Sequence, residues 1–150
     1  MAREIEARAY GPDSTDEERE TLRARITLFE PDVVLYREAP IQTPFQLDVM
    51  WGRMAELTAA LPNYYALIDL THASRPPADV RFHLRVLMTT HRRPAYTALF
   101  TEANFVLNVA ARFVMASAGM KDFSVHRHRD DAIAAIHMAK GKGAVEVRGA

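Results

Sequence analysis

An α/β fold with a mixed, mostly parallel sheet, an N-terminal hairpin and about four helices is predicted by three features of this 150-residue chain. From Tyr64 onward, short β-rich apolar runs alternate with segments whose apolar residues recur every three or four positions, the pattern of strand–helix–strand units that pair in parallel. Before that point Ile26-Thr27-Leu28-Phe29 and Val33-Val34-Leu35-Tyr36 flank Pro31-Asp32, which reads as two strands joined by a tight turn. The length fits one domain able to bury roughly two thirds of the surface its unfolded form exposes. No second core or internal repeat is visible.

Residues 1–24 are charge-rich and are expected to form a flexible arm. Within it Gly11-Pro12-Asp13-Ser14 is a turn signal, and the capping box Thr15-Asp16-Glu17-Glu18 predicts a short helix from Asp16 to Arg23. The domain proper is expected over residues 25–140 and opens with the hairpin. Thr43-Pro44-Phe45-Gln46 marks a helix start: a Thr cap, Pro at the first helical position, and Gln at the third, able to bond back. Leu47, Met50, Met54, Leu57 and Leu61 then form one core-facing stripe that ends at Pro62-Asn63. Tyr64 to Leu70 is a strand, Pro76-Pro77 opens a helix with Val80, Leu84, Leu87 and Met88 on one side, and Pro94 to Thr101 is a further strand.

Asn104 to Gly119 is apolar over more than one face. Wound at about 100° per residue, it confines Asn104, Asn108 and Arg112 to an arc of roughly 80°. Sorting by angle assigns Phe105, Val106, Val109 and Phe113 to the sheet and leaves Leu107, Ala111, Val114 and Ala118 as a seam at steps of four, three and four. That seam is expected to pack on a helix of the same domain or of a second subunit. Gly119 stops the helix where a left-handed residue is commonly required. Phe123-Ser124-Val125-His126 is the last strand, Asp130 or Asp131 is expected to cap the last helix, and residues 141–150 are expected to be disordered.

Composition narrows the function. Nineteen basic and nineteen acidic residues and a neutral isoelectric point give no drive toward phosphate backbones or anionic lipid. Nucleic acid is therefore not an expected partner. The absence of cysteine removes thiolate nucleophiles, disulfides and sulfur-ligated zinc. The start lacks an apolar signal region and no run approaches the roughly 20 residues needed to span a bilayer, so a cytoplasmic protein without a membrane span is expected.

Ligands of such sheets favour the carboxyl ends of the strands, here Thr71 to Pro77, Thr101 to Asn104 and His126 to Asp130. Neither of the first two loops contains the glycine that a phosphate cradle needs, and no Gly-x-Ser-x-Gly elbow exists. His126 and His128 lie on one face of a strand and could join Asp130, Asp131 or His72 around a metal, but solvent-facing strand-end residues are the plainer reading. No metal and no cofactor is expected. Asp69, inside an apolar strand, is either a general base with a raised pKa or an acceptor for N–H groups of the following loop, the more usual role. His83 reads as half exposed, without an acid or nucleophile at a catalytic spacing. His91-Arg92-Arg93 suits the negative end of a helix dipole. An enzyme would have to use Asp69, His72 and His126.

Tyr64-Tyr65-Ala66-Leu67-Ile68-Asp69-Leu70-Thr71-His72-Ala73-Ser74, followed by a helix and then Thr97-Ala98-Leu99-Phe100, resembles a STAS domain, the fold of bacterial anti-sigma-factor antagonists. The resemblance covers about Ile26 to Lys140 and rests on element order and on the apolar strand ending in Asp-Leu before a polar loop. It is nearest to the small stand-alone bacterial members, and it implies a non-enzymatic signalling or protein-interaction module whose partner is an anti-sigma kinase-like regulator or a second copy. Family members that switch by phosphorylation carry Asp-Ser-Ser/Thr-Gly where the second helix begins. Here the matching segment is Pro77-Ala78-Asp79-Val80, so the hydroxyl is missing and Asp79 holds a fixed charge in its place. This implies a member held in one state, while the plain alternative is that Asp79 only caps the helix. Thr71, His72, Ser74, Arg75 and Asp79 form the expected partner-binding loop.

The alternative function is a carrier for a small apolar or lipid ligand, since related α/β folds include lipid-exchange domains. Met50, Trp51, Met54, Met88, Phe105, Phe113 and Met115 would supply its lining. Met and aromatic residues at helical spacing also serve as core filler.

Overall fold

The computed structural model describes residues 10–149, without the side chains of Phe105 and of residues 143–149. Thr15 starts helix α1 (Asp16–Arg23) through the predicted reciprocal cap: its hydroxyl accepts from Glu18 N–H at 3.1 Å and the Glu18 carboxylate accepts from Thr15 N–H at 3.1 Å. Leu22 from this helix is completely buried among Ile26, Val34, Tyr36, Met50 and Met54. Tyr10 is buried in the same cluster, and its backbone is held from both sides, N–H to Gln46 Oε1 at 2.7 Å and carbonyl from the Thr43 hydroxyl at 2.7 Å. The described part of the arm is thus core rather than loose chain. The Gln46 side chain, expected to bond back onto its own helix start, is used for this anchoring, and its amide also donates to Ile41 O.

β1 (Ile26–Glu30) and β2 (Val33–Arg37) form the predicted antiparallel hairpin, with an irregularity between Leu28 and Glu30. Then follow α2 (Pro44–Thr58), β3 (Tyr65–Asp69), α3 (Ala78–Thr90), β4 (Tyr96–Phe100), α4 (Phe105–Ser117), β5 (Phe123–His126) and α5 (Arg129–Gly149). The sheet order is β1-β2-β3-β4-β5, parallel from β2 onward. The fold is therefore α/β with a mixed, mostly parallel sheet and an N-terminal hairpin, and the described residues contain five helices if the short α1 is included.

Period-two alternation gives the sheet two faces. Val33, Leu67, Ala98 and Phe100 point to one side, where Ala132 and Ile136 of α5 cover them. Register places Val34, Ala66 and Thr97 in one row of the other face and Tyr36, Ile68, Leu99 and Val125 in the next. Helices α1 to α4 lie over that side, α3 packing between α2 and α4.

Two expectations for the last two helices are corrected. In α4 the two faces are exchanged: Leu107, Val114 and Ala118 are buried, Leu107 at 5% exposure, while Val106, Val109 and Phe113 are 73%, 66% and 69% exposed. The angular sorting identifies two apolar stripes but assigns the wrong one to the sheet, because larger side chains do not identify the inner face when both stripes are apolar. Helix α5 begins at Arg129, so Asp130 and Asp131 fall inside its first turn. The capping group comes from another loop: Glu102, in a left-handed conformation (φ 50°), accepts Arg129 N–H at 3.0 Å and meets His128 Nδ1 at 3.3 Å. The backbone of α5 is helical from Arg129 to Gly149, and residue 150 of the expected tail lies outside the described residues.

Candidate ligand cavity

Between the sheet and helices α2 to α4 lies a cavity of about 110 Å³, against the roughly 10–15 Å³ that a single water needs. Its floor is Tyr36 and Glu38 from β2 and its continuation, Ala66, Ile68 and Leu70 along β3, and Thr97 and Leu99 from β4. The roof is Trp51 and Met54 of α2, Leu84 and Met88 of α3, and Leu107, Ala110, Ala111, Val114 and Met115 of α4. Gln42, Ala73, Ser74 and Pro76 close the end where β2 and β3 terminate. Small residues line the cavity on both sides, Ala66 and Thr97 from the strands and Ala110 and Ala111 from α4.

The loop at that end is tied down. Asp69 accepts the Thr71 N–H at 2.8 Å and the Thr71 hydroxyl, which is the loop-acceptor role expected of it. Ser74 N–H donates to Pro40 O at 3.1 Å, and Asn104, at the start of α4, donates its amide to Ala73 O at 2.9 Å. Of the expected partner-binding residues, Ser74 lines the cavity rim while His72, Arg75 and Asp79 are exposed outside it and Thr71 is half-buried against Asp69. Asp79 sits in the first turn of α3, where its carboxylate accepts Val80 N–H at 2.9 Å.

Polar groups within the cavity are few and incompletely bonded. The Tyr36 hydroxyl, the Thr97 hydroxyl and Gln42 Oε1 are buried and, among the described residues, make no hydrogen bond of good geometry. Such groups are uncommon in a native interior, where water, an ion or a ligand commonly completes the bonding. Glu38 is buried and accepts Ala39 N–H at 3.1 Å. Burial pushes its carboxyl up to about 7, against the smaller opposing effects of that hydrogen bond and of Arg25. The Arg25 guanidinium donates to the carbonyls of Arg37 at 2.9 Å and Glu38 at 3.0 Å. Burial, followed by the neighbouring Glu38 charge, raises the Tyr36 phenol well above its ordinary range; a loose hydrogen-bonding contact with the Trp51 side chain and the charge of Arg25 act in the opposite sense.

Trp51, Met54, Met88 and Met115, named for a carrier by sequence, all line the cavity. Met50 packs in the adjoining core and Phe113 faces outward; the Phe105 side chain is outside the described set. Three residues of the expected α4 seam, Leu107, Ala111 and Val114, are roof residues, and Ala118 packs with Met120 below them. None of Asp69, His72 and His126 lines the cavity. His126 bonds Ser124 Oγ at 2.6 Å, and burial, outweighing Asp131, lowers its pKa. His83 pairs with Asp48 at 2.7 Å. Among the described residues, no three metal-ligating side chains converge, and no helix is long and apolar enough to cross a membrane.

A second hollow, of about 210 Å³, lies at Met54, Thr58, Tyr64, His91 and Arg92. Its polar groups are already engaged, Arg92 with the carbonyls of Thr58 and Leu61 and the Tyr64 hydroxyl with Arg92 O. It is the less suited of the two to a ligand, despite its volume.

Sequence reasoning misses Tyr36, Glu38, Gln42 and Thr97. The available signal is the i, i+2 row Val34-Tyr36-Glu38, which carries the inward face of β2 one step beyond the strand. Comparison of the chain with models of protein families, with curated proteins and with solved structures finds no match.

Proposed function

We propose that this protein binds a small, mostly apolar molecule between its sheet and helices α2 to α4, acting as a carrier or sensor and not as an enzyme. The observation that carries this reading is the coincidence of an apolar cavity with buried polar groups that, among the described residues, make no hydrogen bond of good geometry. A concave apolar site with a few convergent polar groups is the usual form of a small-molecule pocket. Trp51 is the only tryptophan of the chain and lines the cavity, so its emission reports occupancy directly. Native mass spectrometry after mild purification should retain mass beyond the polypeptide, and medium-chain ligands should shift Trp51 emission saturably. Ala66→Leu, which fills the floor, should abolish that shift. An unshifted emission across such ligands would reject the reading.

A second reading, the STAS-like interaction module of a cytoplasmic signalling pathway, is supported by a different observation. Val106, Val109 and Phe113 recur at helical spacing on the outer side of α4 and are widely exposed, a pattern suited to a protein contact. Light scattering should then give a mass above that of one chain, or reveal capture of an anti-sigma kinase-like regulator, and Phe113→Lys should remove either effect.

A further inference from the structure

We propose that the cavity selects a cationic amphiphile, an alkyl or arylalkyl ammonium whose head meets Glu38, Tyr36 and Gln42 and whose tail runs beneath α3 and α4. The inference rests on the ligand-binding reading above and specifies its chemistry.

The electrostatics of the lining are one-signed. Among the described residues, Glu38 is the one charged side chain that lines the cavity, and no Lys, Arg or His lines it. A fatty acid or another anionic amphiphile would therefore bring its carboxylate toward Glu38 with no lining cation to receive it, at a cost that grows as the surroundings become less polar. An ammonium reverses the sign of that interaction. It has three donors and no acceptor, which suits the Glu38 carboxylate, Gln42 Oε1, which has no partner among the described residues, and the Tyr36 oxygen beside Trp51. Trp51 and Tyr36 also supply aromatic rings to the lining, and ring faces attract cations most when water is excluded.

Placement of the polar groups agrees with a head-and-tail ligand. Glu38 and Gln42 follow β2, and Ser74 lies in the loop after β3, so these three polar functions gather at the carboxyl end of those strands, while the Thr97 hydroxyl lies toward the amino end of β4. Beyond them Leu84, Met88, Leu99, Val114, Met115 and Met120 present only apolar surface. The groups that act on the Glu38 charge are Tyr36 from its own strand and Arg25 from the turn between α1 and β1. From α2, the β2–α2 loop and the loop after β3, the residues that line its end of the cavity are Trp51, Gln42 and Ser74, which do not titrate in this range. Protonation of Glu38 and binding of the cation are therefore competing events.

The test uses the full chain and three probes of one length, octylamine, octanol and octanoate, followed by Trp51 emission and calorimetry at pH 8. Octylamine should bind at least about tenfold more tightly than octanol, and octanoate should show no saturable binding. Glu38→Gln should reduce octylamine to the affinity that octanol shows for the same variant. In the unmodified protein, lowering the pH from 8 to 6 should weaken octylamine about tenfold, because Glu38 takes up a proton near pH 7, and should not affect octanol. This pH series stands even if Glu38→Gln folds poorly. Octanol or octanoate binding as tightly as octylamine, or no pH dependence for octylamine, overturns the charge selection and leaves the apolar-ligand reading intact. No response to any of the three overturns both.

Discussion

Glu38 concentrates the energetic tension of the molecule in one side chain. Its carboxyl takes up a proton at about pH 7 in the folded state and at about 4.5 when exposed, so between those values the native state holds more protons than the unfolded state. Stability then falls as pH rises through this window, by on the order of 3 kcal/mol in full. Glu38→Gln, which keeps an acceptor for Ala39 N–H, should match the unmodified protein in urea unfolding at pH 4.5 and exceed it by about 2 to 3 kcal/mol at pH 8. Equal stability of the two at both pH values would show that the buried carboxyl is relieved by another group. In the sequence this residue belongs to Arg37-Glu38-Ala39-Pro40, which reads as a polar turn. What buries it is tertiary: Arg25 lies against its backbone, and α2 and the loop after β3 close above it. Asp69 shows the opposite case, because its partner is two residues away at Thr71 and its role was legible from local pattern alone.

At the level of the elements, caps and strand runs were readable because their determinants are local. The Thr15 capping box, the Thr43-Pro44 start of α2 and strand β5 all occur where residue pattern places them. The orientation of α4 was not readable, since two apolar stripes satisfy the same periodicity and only the neighbouring helices and strands decide between them. The structure separates the stripes sharply. Leu107→Lys should cost at least about 3 kcal/mol by burying a charge, whereas Phe113→Ser should change monomer stability by no more than about 0.5 kcal/mol. Chemical denaturation of both variants checks the assignment, and a reversed order would restore the other face as the inner one. Asn104 links α4 to the loop that closes the cavity. Asn104→Ala should lower stability by about 1 to 2 kcal/mol and speed hydrogen exchange at the amides of Ala73 and Ser74, which now bond Leu70 O and Pro40 O. Unaltered exchange there would mean that the loop is held without α4.

For the whole molecule, a chief finding is that the described part of the arm, residues 10–24, contributes to the core through Tyr10 and Leu22; residues 1–9 lie outside the described residues. Charge and turn signals before Ile26 suggest a detachable segment, yet Leu22 is completely buried beside Met50 and Met54. Leu22→Ala should therefore cost about 2 to 5 kcal/mol, like any large-to-small core change, and thermal unfolding in a single transition would confirm that α1 melts with the sheet. The α/β class and its hairpin were legible from the order of apolar runs, while the cavity was not, since its lining is drawn from elements far apart in sequence. The sheet has one more consequence, for synthesis on the ribosome. Because strand order in space repeats strand order in the chain, each strand can dock as it emerges, on the edge left by its predecessor, and α1 to α4 shelter one side progressively. The other side, with Val33, Leu67, Ala98 and Phe100, waits for Ala132 and Ile136. Until α5 leaves the exit tunnel, the nascent chain presents a nearly finished sheet with one bare greasy wall, the interval in which a chaperone would find it.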